Sequence, residues 1–195
     1  MKRILLLCFL AINSLFTLAQ DVDKSKAMEL VSKNHVNLNL TDEDLINSII
    51  TNAYRSSGMS LVYLQQSYKG LPVFNQIQTL AFKDEIMVSH FGNRIDDIEQ
   101  KVNTKNIFPS FKPEEAVVKA LQVKKIFSHG ILIPTTLIPG RKFDFGKAGV
   151  ANENITAELM WVPVQDGKQV FLAWQVYLVP TGSSDYWMIR IDANT

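Results

Sequence analysis

Three histidines, one cysteine and 19 acidic residues are the groups here that could bind a metal or attack a bond. A zinc hydrolase gathers its ligands closely, typically as two histidines one helical turn apart with a glutamate between them. His35, His90 and His129 are widely separated, and none has a second histidine within a turn. No serine sits in a G-x-S-x-G elbow, the sharp turn that exposes an esterase nucleophile. No glycine-rich phosphate cradle is present; Gly58, Gly70, Gly92 and Gly167 fall at expected turns. Asp42, Glu43 and Asp44 stand together, but at a helix start, where they complement the helix dipole as solvated charges. The motifs therefore point away from catalysis, and no cofactor is expected in this chain.

The aromatic residues could act without bond chemistry. Trp161, Trp174 and Trp187 each fall on an expected strand. Such residues either stack on a sugar or base or fill a sheet core. Trp174 alternates in register with Val170, Leu172, Val176 and Leu178, which favours the core. Tyr186-Trp187 follows a polar loop and is the better interface candidate.

The chain opens with Lys2-Arg3, an apolar run from Ile4 to Ile12, and small residues at Thr17-Leu18-Ala19. This order reads as a secretory signal peptide over residues 1–19. The run is shorter than the roughly 20 residues a membrane span needs. Cys8 lies inside it, preceded by Leu7 in place of the small residue of a lipoprotein signal. The exported chain then has no cysteine, so neither a disulfide nor a thiolate can form. It carries 18 basic against 19 acidic residues, a balance without the basic footprint that nucleic acid requires. No membrane contact is expected after signal cleavage, and the product is read as secreted or periplasmic.

These residues need elements to position them. Lys24 to Asn34 patterns as a short helix. Thr41 caps a second, with Leu45, Ile46, Ile49, Ile50 and Ala53 as its apolar stripe and an end before Gly58. Strands follow at Leu61–Tyr68, Val73–Phe82 and Ile86–Phe91, divided by Lys69-Gly70-Leu71-Pro72 and by Asp84-Glu85. Residues 98–110 belong to a polar stretch read as a linker. Pro113, Glu114 and Glu115 open a helix whose buried stripe is Ala116, Val117, Ala120 and Leu121. Lys112 is a poor cap, which moves the boundary toward Ser110. Lys125 to Asn154 shows no clear period. Strands return at Ala157–Gln165, Val170–Val179 and Tyr186–Ala193, with a turn at Asp166-Gly167. The expected class is α+β, as two subdomains (20–97 and 111–195), each with a helix packed on an antiparallel meander sheet.

Within that plan, VYLQQSYKGLPVFNQIQTLAFKDEIMVSH resembles the fungalysin/thermolysin propeptide (FTP) motif. Gln66, Tyr68, Gly70, Pro72, Val73 and Phe74 carry the match. Asp84-Glu85 stands where Asp-Gly is usual, which implies a looser hairpin. The second half resembles a PepSY-type subdomain. FKPEEAVVKAL is similar to its opening helix, and Ala173-Trp174 and Arg190-Ile191-Asp192-Ala193 to its closing strands. Trp187 beside Tyr186 points to the fungalysin-like branch.

The resemblance implies a pro-region that helps a secreted zinc metalloprotease domain to fold and blocks its cleft. The zinc would lie in that catalytic domain, expected after Thr195, or in a protease met in trans. Gln66, Tyr68, Gly70, Pro72, Val73, Trp174, Trp187, Asp192 and Ala193 would serve the fold or the protease contact. On the residues alone, Gly70 supplies a positive φ, Gln66 pairs a buried backbone group, and Asp192 accepts backbone N–H groups at a strand end. The rival reading is a free-standing secreted binding module.

Overall fold

The structure, a computed structural model, describes residues 20–128 and 130–195. The signal peptide expected over 1–19 and His129 lie outside the described residues.

The chain is α+β. After a short strand β1 (Gln20–Asp21), helix α1 (Lys24–Lys33) starts at Asp23, whose carboxylate accepts from the Ser25 and Lys26 N–H groups. Helix α2 (Asp42–Ile46) is capped by Thr41 and Asp44, each accepting the other's backbone N–H. Strands β2 (Ser48–Ser56), β3 (Met59–Tyr68), β4 (Leu71–Lys83) and β5 (Ile86–Gly92) then run antiparallel in sequence. Helices α3 (Ile98–Lys101) and α4 (Pro113–Val123) precede a hairpin of β6 (Thr135–Ile138) and β7 (Lys142–Asp144). The chain closes with β8 (Thr156–Val164), β9 (Gln169–Leu178) and β10 (Trp187–Asp192).

The ten strands join in one mixed sheet. The join is a parallel pairing of Val73 on β4 with Trp161 on β8. Two apolar clusters lie on it. Ala27 and Val31 of α1 pack with Ile50, Ala53, Val62, Leu64, Leu80 and Phe82. The stripe Ala116, Val117, Ala120 and Leu121 of α4 packs with Leu159, Trp161, Leu172, Trp174 and Val176. Tyr68, Leu71, Val73 and Ile95 belong to this second cluster although they come from the first half. β4 thus contributes to both.

The structure corrects the sequence reading in several places. The helix expected from Thr41 to Gly58 ends at Ile46, and Ser48–Ser56 is a strand. Its apolar stripe is not a helical face: Ile46 is 82% exposed, whereas Ile50 and Ala53 are buried. A register shift between Ile50 and Asn52 lets residues three apart share one sheet face. That spacing imitates a helix.

The break expected over Lys69 to Pro72 is narrower. Lys69 and Gly70 alone form the turn, at φ 50° and 78°, between the paired Tyr68 and Leu71. The hairpin expected to be loose at Asp84-Glu85 is a two-residue turn closed by the Lys83–Ile86 pair, with both φ values positive. Its strain is offset from α1. Asn34 donates to the Glu85 carbonyl at 3.0 Å and accepts from the Met87 N–H at 3.1 Å. Lys33 pairs with the Glu85 carboxylate at 2.8 Å. Residues 98–110 include α3 and are fastened to the second half: Asn103 bonds both Val170 and Leu172 along β9, and Ser110 donates to the Ala193 carbonyl.

Candidate functional site

The residues singled out from sequence concentrate where β4 leaves one half of the sheet and enters the other. Gly70 supplies the second positive φ of the β3–β4 turn, with nothing near the space a side chain would take. Pro72 lies one pair further along, opposite Ser67, at the start of β4, where a missing N–H is tolerated. Beyond it the register slips, from Ser67–Pro72 to Gln65–Ile77. The slip leaves carbonyls without ladder partners, and the buried Gln65 amide fills the gap. Its Nε2 lies 2.6 Å from the Val73 carbonyl and 3.0 Å from that of Gln76. Asn75, within the slipped stretch, takes φ 56°.

Gln66 points to the opposite face and makes a reciprocal pair with one distant residue. Its Nε2 donates to the Ile95 carbonyl at 2.7 Å, and its Oε1 accepts from the Ile95 N–H at 2.8 Å. Both residues are buried. This ties β3 to the segment leaving β5. Arg94 beside it forms an ion pair with Asp44 of α2.

Tyr68 and Trp161 make the joint between the halves. The indole Nε1 donates to the Tyr68 carbonyl at 2.9 Å, and the rings meet edge to face at 5.5 Å. Burial pushes the Tyr68 phenol pKa up. Val73, fully buried, lies beside Trp161 in the parallel pairing.

In the second half, Trp174 is buried, meets Phe143 at 6.0 Å and donates to the Phe111 carbonyl at 3.3 Å. Ala193 is fully buried; its N–H donates to the Leu172 carbonyl at 2.9 Å and its carbonyl accepts from Ser110 at 2.7 Å. Asp192 accepts the Asn194 N–H at 2.8 Å. Trp187 packs at the rim of the core, with the Lys124 ammonium 2.7 Å over its ring, and Tyr186 is exposed. The structure thus gathers Tyr68, Val73, Trp174 and Ala193 in one core, sets Trp187 at its edge, and leaves Gln66 as a tie.

Sequence reasoning missed Gln65 and Trp161 as partners of this joint. The signal for Gln65 was the doubled amide before the turn; nothing local marked Trp161, which is 93 residues from Tyr68.

Among the described residues, no group of three or more His, Cys, Asp or Glu side chains could hold a metal ion. His35 Nδ1 is engaged with the Ser32 carbonyl at 2.7 Å, and His90 is exposed. No described helix is long and apolar enough to cross a membrane. The sheet face turned away from α4 carries Phe74, Gln175, Tyr177, Met188 and Arg190, and the Arg190 guanidinium lies 3.5 Å from the centre of the Phe74 ring.

Residues 49–95 match the Fungalysin/Thermolysin Propeptide Motif. The matched span runs from β2 to Ile95. It therefore includes the slipped hairpin, the Gln66–Ile95 pair and the Tyr68 side of the joint. No curated protein matches the chain. Among solved structures, the Bacillus megaterium YpeB C-terminal domain is similar at 12% identity and a TM-score of 0.37. The alignment covers 90% of this chain and 62% of that one.

Proposed function

We propose that this chain is the pro-region of a secreted, fungalysin-like zinc metalloprotease. In this reading it acts as a chaperone for the protease domain and inhibits it, whether joined to it in one precursor or supplied in trans. The propeptide-motif match over residues 49–95 carries the proposal. The matched span includes Tyr68 and Val73, which form one side of the joint of the sheet.

The finer reading is of an FTP-like subdomain (20–97) and a PepSY-like subdomain (111–195), connected by 98–110 and exported by the leader at 1–19. In this reading β4, which contributes to both apolar clusters of the one sheet, joins the two subdomains into a single surface, as inhibition by complementarity needs. An interface of standard size buries about 1,600 Å² in total. The zinc belongs to the partner domain; this chain supplies shape and hydrogen-bonding groups and no catalytic group. Its exposed apolar residues include Phe127, Ile131 and Ile133 at 82%, 89% and 72% exposure.

The test mixes the chain, expressed from its full sequence, with the catalytic domain of a fungalysin-like protease. Expected are slower peptide hydrolysis, tight co-elution and faster recovery of activity after denaturation. An unchanged hydrolysis rate together with unchanged refolding would refute the proposal.

A further inference from the structure

In the run Arg190-Ile191-Asp192-Ala193, three residues have an evident structural duty. Ile191 packs against the core, Asp192 closes the strand end, and Ala193 bonds Leu172 and Ser110. Arg190 has none of comparable weight. It alternates with Ile191 and shares with Asp192 the face of β10 turned away from α4, opposite Gln175 on β9. Its Nε donates to the Gln175 Oε1 at 3.0 Å. Its guanidinium covers the Phe74 ring, and Phe74 comes from β4. Strand order places β4 three positions from β10, roughly 14 Å in a flat sheet. Both side chains therefore lean toward each other over the intervening strands β8 and β9.

A guanidinium has five N–H donors in a planar fork. Gln175 uses one of them. Among the described residues, no carboxylate lies within ion-pair distance of Arg190, although Arg94 and Arg141 each have one. This face also carries Met188, Tyr177, Asp192 and, in the same cross-strand row as Gln175, Glu158, which is paired with Arg141 and Lys142. Arg190 is exposed as a residue, and the desolvation its guanidinium meets against its neighbours lowers its pKa. The head is thus oriented by a hydrogen bond and an aromatic shelf, partly desolvated, and still free to make a two-pronged contact.

We propose that Arg190, held by Phe74 and Gln175, is the anchor for an acidic side chain on the protease domain. The inference rests on the pro-region reading and names the point of contact within it. Charge complementarity selects the occupant: a planar fork with free Nη donors fits an Asp or Glu carboxylate bidentately.

The test measures inhibition of a fungalysin-like catalytic domain by the wild-type chain and by Arg190→Met, Arg190→Lys, Phe74→Leu and, as a control on β2, Arg55→Gln. Arg190→Met should weaken inhibition about 10- to 100-fold, the range for a lost charge-assisted pair. Arg190→Lys keeps the charge without the fork and should fall between. Phe74→Leu should weaken inhibition a few-fold, and Arg55→Gln should leave it unchanged. The wild-type inhibition constant should rise with salt more steeply than that of Arg190→Met. Melting temperatures establish that each variant is folded; should Arg190→Met not fold, Arg190→Lys decides. Inhibition by the folded Arg190 variant within two-fold of wild type, with the same salt slope, overturns the anchor and leaves the pro-region reading standing. A wild-type chain that neither binds nor inhibits overturns both.

Discussion

Replacing Gln66 tests whether the motif's amide is a structural tie. Gln66→Met keeps roughly the length and volume of the side chain and removes both hydrogen bonds to Ile95. Gln66 and Ile95 are 5% and 6% exposed. The Ile95 N–H and C=O are then left buried without these partners. Each such group costs about 1–3 kcal/mol. Part is recovered from the apolar side chain, so the expected loss is about 3 kcal/mol. For a chain of this size that corresponds to a fall of roughly 6–12 °C in melting temperature. Gln66→Glu sharpens the test. A carboxylate can accept from the Ile95 N–H but repels the Ile95 carbonyl, whereas a protonated acid can donate to it. Its folded-state pKa is therefore raised above the unfolded value of about 4.3. Stability then lies near wild type at pH below about 4 and falls as pH rises through and beyond that value, levelling off above the folded pKa. Urea unfolding of all three proteins from about pH 3.5 to 7.5 measures both effects. The reasoning fails if Gln66→Met lies within about 0.5 kcal/mol of wild type, or if Gln66→Glu tracks wild type across the range.

Three further outcomes are expected. Trp161→Phe removes the 2.9 Å bond to the Tyr68 carbonyl and opens space in the joint; a loss of about 2–3 kcal/mol in urea unfolding is expected. Gly92→Ala places a Cβ 2.1 Å from the Ile77 carbonyl oxygen at φ 112°. The end of β5 must separate from β4, read as faster amide exchange at the end of β5 and a loss above about 2 kcal/mol. The Glu153 carboxylate accepts from the Tyr177 hydroxyl and pushes its pKa up to about 12. The stabilising contact is therefore complete below the ordinary phenol pKa of about 10 and lost as pH rises through the folded value. Glu153→Gln should return the phenolate absorbance midpoint toward about 10.

Where one period ran undisturbed, the fold was legible. Ala116, Val117, Ala120 and Leu121 predicted the buried face of α4, and Val170 to Leu178 predicted that of β9. Where a period was broken by design, it was not. The bulge in β2 made Ile50 and Ala53 look helical, because their spacing was produced by an extra residue in a strand. The hairpin of β6 and β7 escaped notice since its strands are short, β6 is exposed and β7 half-buried, and only the pairing of β7 with β8 holds it to the sheet. Arg141 there bonds Glu158 at 2.8 and 3.0 Å, a contact that only the folded chain creates. At the candidate site, the roles of Gln66 and Gly70 could be read from side-chain chemistry and turn geometry. The joint could not, because Tyr68 and Trp161 meet only through a parallel pairing whose register no local pattern encodes.

β4 has a consequence for the lifetime of the molecule. Its first residues lie in one apolar cluster and its later ones, Leu80 and Phe82, in the other. Neither cluster can melt without loosening the strand the other is built on, so the expected unfolding is a single cooperative step. The two halves then share one opening free energy, and a protease that captures the open form finds the whole chain undefended. A molecule wired in this way stays intact as a unit and is destroyed as a unit, leaving no half behind.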